Sequence, residues 1–546
     1  MTSAPLYSAA PFLAGDVLAR LAGLRREAAA REGDACPPAP LMRALAEIDE
    51  ALTEAPAALK TEAARLASGP DPISSPAELL FASFAMHVGG RAEDARRILE
   101  HALTATLRPL ERSFLFWQLS RFYFLAPAAF DAAADLGLRR LHRKIVRTWA
   151  RRLELKRRWL PPERRAARRI VVMTNQILGL NHAPTADALD YVRTLHTLGY
   201  EVEVLCTAEL PTQALLPVHR PFLGNYNRRL AGRHALELDG FSVPLWQAQA
   251  AMPNERELKQ ILRHVARLRP RAVISIGGSM VGADLCAAAT TVITLPLSAR
   301  LPIGEGQVLC TTSEPAAADR EHLAAFGIAP QRLVPFTYCF RLPSRQATYD
   351  PAPLGLPEDS FRAAIVGNRL DDEIAGETLE MIRALIAAVP ELHILFVGPF
   401  PRHERLVAND PLLRTRTHAL GFQSDIRAVY EHCDVYISPP RSGGGTSAAY
   451  ALADGLPVLT LDGGDVAWVA GREAVSPSLP ALIERLRSLA RDPALRDAES
   501  ARARRRFEEL SDRKAMLEGI LEEVERRKLL AMKAPLFSER RPPAGR

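Results

Sequence analysis

The residues best suited to chemistry lie in one stretch, Cys433 to Gly455, which reads CDVYISPPRSGGGTSAAYALADG. After Ser442, three consecutive glycines (Gly443, Gly444, Gly445) run into Thr446 and Ser447. Glycine lets a backbone approach a ligand closely, and the first-turn N–H groups of a helix have no intrahelical acceptor. Those N–H groups and the helix dipole favour an anion such as a diphosphate, and the two hydroxyls add donors. The same residues would also suit a plain entry loop with a Ser or Thr cap. The stretch is neither a P-loop nor a spaced GxGxxG. Arg369, in Gly367-Asn368-Arg369, is a second candidate, since a guanidinium pairs well with a diphosphate; the alternative is a surface arginine. His182, in the loop QILGLNHAPT, is the candidate proton acceptor, with helix capping as its bland alternative. No DxD-like metal pair, HExxH or GxSxG is present, so metal-hydrolase and serine-hydrolase chemistry have no support.

These residues need elements to hold them. Val435-Tyr436-Ile437 predicts a short strand broken at Pro439-Pro440. A helix follows the glycines, closed by Gly455 at its C-cap, and Pro457 to Leu461 predicts the next strand: a βαβ unit. Upstream, Phe361–Gly367 and His393–Val397 predict strands, Thr378–Ala388 a helix, Thr417–Gly421 a strand and Asp425–His432 a helix. An earlier alternation starts at Ile170–Asn175, with a helix from Ala183, strands at Glu201–Cys206, Ala272–Ile276, Thr291–Leu295 and Val308–Thr312, and a helix over Leu258–Leu268. Helices alternating with short β-branched strands predict two doubly wound parallel sheets. Residues 1–165 are rich in Ala, Leu and Arg, with helical spacing in Leu41–Leu52, Glu78–Val88, Ala92–Thr106 and Arg112–Phe124. One tetratricopeptide-type hairpin is suggested near Gly90–Leu103, but no second copy follows at that period, so a helical bundle is expected. The division is an all-helical domain (1–165), an α/β domain (166–340), and a second α/β domain with a charged helical tail (341–546).

The net charge of +7 is concentrated. Arg139 to Arg169 holds 14 Lys and Arg against two acids, Glu154 and Glu163, which leaves the remainder mildly acidic and gives no general nucleic-acid coat. Leu141, Ile145, Trp149 and Leu153 form one apolar stripe there. The stripe predicts a helix packed on the next domain under its arginine stems; the second reading is peripheral contact with an anionic membrane. The six cysteines (Cys36, Cys206, Cys286, Cys310, Cys339, Cys433) form no CxxC pair, which suits reduced thiols. The N-terminal segment lacks a basic n-region, so a cytoplasmic protein is expected, peripheral to the inner membrane surface on the second reading.

SPPRSGGGTSAAYALADGLPVLTLDG, set in two α/β domains, resembles the GT-B glycosyltransferases. CDVYISP, the Gly-Thr-Ser turn and the helical N-terminal domain are most similar to the O-GlcNAc transferase/HMW1C-like group, with a further likeness to glycosyltransferase family 4 C-terminal domains. The resemblance covers about 170–530. It implies a nucleotide-sugar donor, UDP-linked in this group, and a protein acceptor, with no metal and no other cofactor. It places the diphosphate on Gly445, Thr446 and Ser447 beside Ser442, Gly443 and Gly444, and the base near Gly421, Phe422 and Gln423. Two departures stand out: Tyr450 occupies the place of the usual ribose-binding acid, and the family's Arg…Lys pair is reduced to Arg369, with Asp371-Asp372-Glu373 where a Lys might stand. Two alternatives follow: a lipopolysaccharide or polysaccharide transferase at the inner membrane surface, and a catalytically silent GT-B-like adaptor.

Overall fold

The computed structural model describes residues 14–30, 39–53, 55–69, 72–156, 158–179, 182–250, 253–312, 317–408, 410–534 and 536. Cys36 lies outside them.

The first region is helical, as its spacing predicts, with helices Ala39–Leu52, Pro76–Gly89, Ala92–Thr104, Pro109–Leu125 and Ala132–Arg152 among its elements. Their boundaries follow local chemistry. Ser75 accepts from the Glu78 N–H ahead of Pro76, and Asp131 accepts from the Ala134 N–H at the start of the basic helix Ala132–Arg152. Leu141, Ile145 and Trp149 of that helix are buried in one core with Val171, Met173 and Val273 of the following sheet. Arg139, 2% exposed, donates to the carbonyls of Leu301 and Pro302 at 3.0 Å each. His142 lies 2.6 Å from Asp284, and Arg143 donates to Glu305 at 2.9 Å. The apolar stripe is thus engaged in packing against the first sheet.

The first sheet comprises β1 (Ala166–Thr174), β2 (Glu201–Cys206), β3 (Gly232–Leu238), β4 (Phe241–Gln247), β5 (Pro270–Ile276), β6 (Thr291–Leu295), β7 (Val308–Thr311) and β8 (Leu333–Pro335). Their order is β3-β4-β2-β1-β5-β6-β7-β8, parallel except for the β3/β4 edge hairpin. The second sheet comprises β9 (Phe361–Val366), β10 (Leu392–Val397), β11 (Thr417–Ala419), β12 (Val435–Ser438), β13 (Val458–Leu461) and β14 (Val475–Ser476), ordered β11-β10-β9-β12-β13-β14 and wholly parallel. Central strands are buried on both faces, as a sheet covered by helices requires: β10 is buried at all six positions. In each sheet the order reverses beside the first strand, between β1 and β5 and between β9 and β12. Ligands of open α/β sheets bind at the carboxyl ends of strands at such switch points.

The tail departs from the expected division. Helix Arg513–Arg526 leaves the second sheet and packs on the first, burying Leu517, Ile520, Leu521 and Val524 against Ile170, Tyr191 and Leu195. Arg513 fixes the crossing with a 2.6 Å bond to Asp187 and a bond to the Cys339 carbonyl.

Candidate functional site

The glycine loop follows β12, and Asn368-Arg369 follow β9, so both stand at the second sheet's switch point. Gly443 and Gly444 take φ of +87° and +81°, a left-handed region that glycine adopts without strain. Helix Gly445–Asp454 then begins with Gly444 as its N-cap and no side-chain capping bond. Its first-turn N–H groups are therefore left to water or a ligand. Beneath the loop sits Arg441, 7% exposed. It pairs with Glu373, donates to the Val366 carbonyl, and lies 3.4 Å from the Tyr436 hydroxyl. Burial lowers its pKa, but Tyr436 and Glu373 outweigh that and raise it. Arg369 donates to Glu373 at 2.8 Å and to the Ser442 carbonyl at 3.0 Å. Glu373 is thus held between two arginines, and Asp371 accepts from the Arg402 N–H, so two of the acids that stand in place of a family Lys are already partnered.

Three groups that the sequence reading missed close on this loop. From the helical region, Phe124 lies under the Arg369 guanidinium, 5.2 Å from ring centre to its carbon, and burial, with Arg369 nearby, lowers the pKa of Arg121. From the first sheet's side comes Ala299, whose N–H donates to Asp465 at 2.7 Å. Asp465 also accepts from the Gly443 N–H at 2.7 Å, so one carboxylate ties both α/β domains to the glycine loop. Burial pushes its pKa up, although both N–H bonds oppose this. Asp465 follows Gly463-Gly464, a second glycine turn that was a usable signal; Arg441 was legible only as a neighbour of the glycines, and Arg121 and Phe124 carried no local signal at all.

The remaining candidates are dispersed around this centre. The Thr446 hydroxyl has no hydrogen-bond partner among the described residues. The Ser447 hydroxyl donates to the Gly444 carbonyl at 2.9 Å and meets the Tyr436 hydroxyl at 3.0 Å, so it braces the loop. Ser442 is buried and Asn368 exposed. Tyr450 is partly buried, and burial raises its pKa. Phe422 is 61% exposed, and Gln423 donates to the Leu420 carbonyl at 2.8 Å. His182 is the N-cap residue of helix Ala183–Thr197, at the carboxyl end of β1, and its Nδ1 lies 2.8 Å from the Thr185 hydroxyl. Burial lowers its pKa, which keeps the ring neutral and able to accept a proton. No hydrogen bond joins it to the glycine loop.

The first sheet's own crevice holds Glu209, which follows β2 and accepts from the backbone N–H groups of Val281 and Gly282, the latter at 2.7 Å. It lines a cavity of about 160 Å³ with Asn175, His142, Trp117 and Ser279. Burial pushes its pKa to about 7 from an ordinary 4.5, despite the opposing N–H bonds. A carboxyl raised by folding contributes stability fully below its unfolded pKa and loses it as pH climbs to the folded value. Stability is therefore expected to fall between those two pH values by about 3 kcal/mol from this group. Urea titrations across that window are expected to show the slope in the parent protein and a flatter line in Glu209→Gln.

Residues 365–492 match the family model "Glycosyl transferases group 1". No curated protein matches the chain by sequence. Among solved structures, an O-GlcNAc transferase mutant from Thermobaculum terrenum is 17% identical over 95% of this chain and 98% of that one, with a TM-score of 0.48. The pneumococcal O-GlcNAc transferase GtfA, in complex with UDP and GlcNAc, is 11% identical over 66% of this chain and 99% of that one, TM-score 0.40. TarM from S. aureus is 8% identical over 65% and 99%, TM-score 0.43. No helix among the described residues is long and apolar enough to cross a membrane. The family match spans most of the second sheet together with Arg369 and the glycine loop, while the first sheet and the helical region lie outside it.

Proposed function

We propose that this protein transfers a sugar from a nucleoside-diphosphate donor, UDP-linked by the resemblance, to a protein acceptor. The observation that carries the reading is the uncapped helix start behind Gly443-Gly444, with Arg369 fixed beside it. In the reaction, the acceptor atom bonds to the anomeric carbon while the bond from that carbon to the diphosphate oxygen breaks. The nucleoside diphosphate departs with the charge, which the first-turn N–H groups, the Thr446 hydroxyl and Arg369 stabilise where it develops. His182 takes the acceptor's proton on Nε2, since Nδ1 already faces Thr185. Asn368, Ser442, Tyr450, Phe422 and Gln423 would flank the donor, and residues 14–156 would present the acceptor. Buried packing of the basic helix weighs against the membrane-acceptor alternative.

Titration calorimetry with UDP, GDP, ADP and CDP tests the donor site. One nucleotide is expected to bind, and Thr446→Val is expected to weaken it about tenfold through loss of a hydrogen bond to a charged group. The parent melting temperature should be kept, because valine keeps the shape of Thr446 and its hydroxyl has no hydrogen-bond partner among the described residues. Binding of none of the four would sink the transferase reading in favour of the adaptor.

A further inference from the structure

Arg121 is a cation that the donor site, as described so far, leaves unused. It stands near the end of helix Pro109–Leu125, in the helical region. Its guanidinium carbon lies 4.9 Å from the centre of the Phe124 ring, and that of Arg369 lies 5.2 Å from the same ring. A Cβ placed on Gly443 would meet Arg369 Nη2 and Phe124 Cζ at 3.6 Å each, so ring and guanidinium both border the glycine loop. Arg121 is partly buried, yet no hydrogen bond or ion pair engages it among the described residues.

Two guanidiniums against one ring repel, and burial weakens the screening by water that would mute the repulsion. Nothing nearby in the protein answers it. Glu373 is the acid that pairs with Arg369 and with Arg441, so its charge is already shared. The Nε–H groups of those two arginines are buried without an acceptor among the described residues. Asp465, on the other flank of the loop, has Arg300 and two N–H groups to balance it. Arg121, Arg369 and Arg441 against Glu373 therefore leave an excess of positive charge around Gly443 and Gly444. Orphaned donors and unpaired cations at one place point to an anion that the protein does not itself supply. Phosphate oxygens suit it, because a guanidinium fork matches them in bidentate geometry. We propose that Arg121 completes a diphosphate site, pairing from the helical region with the anion that Arg369 holds from the second α/β domain. The identity of that anion as part of a nucleotide donor rests on the function proposed above; the anion site itself is testable without a nucleotide.

The test compares Arg121→Gln and Arg121→Lys with the parent chain, by calorimetry and thermal unfolding with inorganic pyrophosphate. Pyrophosphate is expected to bind the parent, and Arg121→Gln to weaken it about tenfold or more, as the loss of a hydrogen bond between charged groups would. Arg121→Lys keeps the charge without the fork and should fall between the two; it carries the comparison if Arg121→Gln does not fold. Without the anion, Arg121→Gln should melt no lower than the parent, because it relieves a repulsion and strands no partner. Equal affinity in parent and variants overturns the proposal, and a lower melting point beside it would assign Arg121 to packing on Phe124. The four nucleotides named above keep the two readings apart. Pyrophosphate bound through Arg121 with no nucleotide bound upholds this site and sinks the transferase. A nucleotide bound equally with and without Arg121 does the reverse, and a chain that binds neither nucleotide nor pyrophosphate overturns both.

Discussion

Arg441→Met is expected to cost about 3 kcal/mol of folding stability and to abolish nucleotide binding. Removing one partner of a buried ion pair leaves the other charge without compensation, an effect of about 3–5 kcal/mol. Glu373 keeps its bond to Arg369, which places the cost at the lower end. Methionine fills most of the volume but cannot serve the Val366 carbonyl, the Tyr436 hydroxyl and Glu373 together. The floor beneath Gly443 and Gly444 would then shift. Urea unfolding and calorimetry check both parts. In Arg441→Met/Glu373→Gln no carboxylate is left with only part of its pairing, so some of the stability should return while binding stays lost. Equal stability of the single and double variants would show that the charge pair is not what holds the floor.

Gly464→Ala should have the second large effect. Gly464 has φ +78°, and a Cβ there would come 2.2 Å from the carbonyl oxygen of Arg441, a backbone atom that cannot swing aside. Left-handed alanine alone costs about 1–2 kcal/mol, and relieving the clash must push the Arg441–Gly443 backbone. About 3 kcal/mol of destabilisation and a loss of nucleotide affinity above tenfold are expected. Gly463→Ala supplies the comparison: its φ is +102° but its Cβ would meet nothing within 4 Å, so it should show the backbone cost without losing binding. If the two alanine variants bind nucleotide alike, contact between the two glycine turns does not shape the site.

Much of this architecture was written locally. Glu201–Cys206 and Thr291–Leu295 are strands at their expected limits, because runs of β-branched and apolar residues between turn signals leave few options for a strand buried on both faces. The glycine loop was legible for the same reason: backbone freedom is a property of the residues themselves. The β3/β4 hairpin was not seen, since a half-exposed edge lacks the unbroken apolar run. Nor was the docking of Arg513–Arg526 on the first sheet, because its charged, helix-forming residues name no partner. The site divides likewise. Gly443, Gly444, Arg369 and Glu373 cluster as their positions after β9 and β12 imply, whereas Asp465, Arg121 and Phe124 arrive by long-range packing that leaves no trace in local pattern.

The returning helix also bears on how the chain is made. Synthesis runs from the N-terminus, and domains ordinarily fold as they emerge. Here Tyr191 and Leu195 remain bare until Leu517 and Ile520 have been translated, more than 300 residues later. The first α/β unit must therefore leave the ribosome with an unfinished core, exposed for the whole time the second is built. Nascent chains paused anywhere before residue 513 are expected to be protease-sensitive around 183–197, and a holdase binding there would be released only when the last helix closes over it.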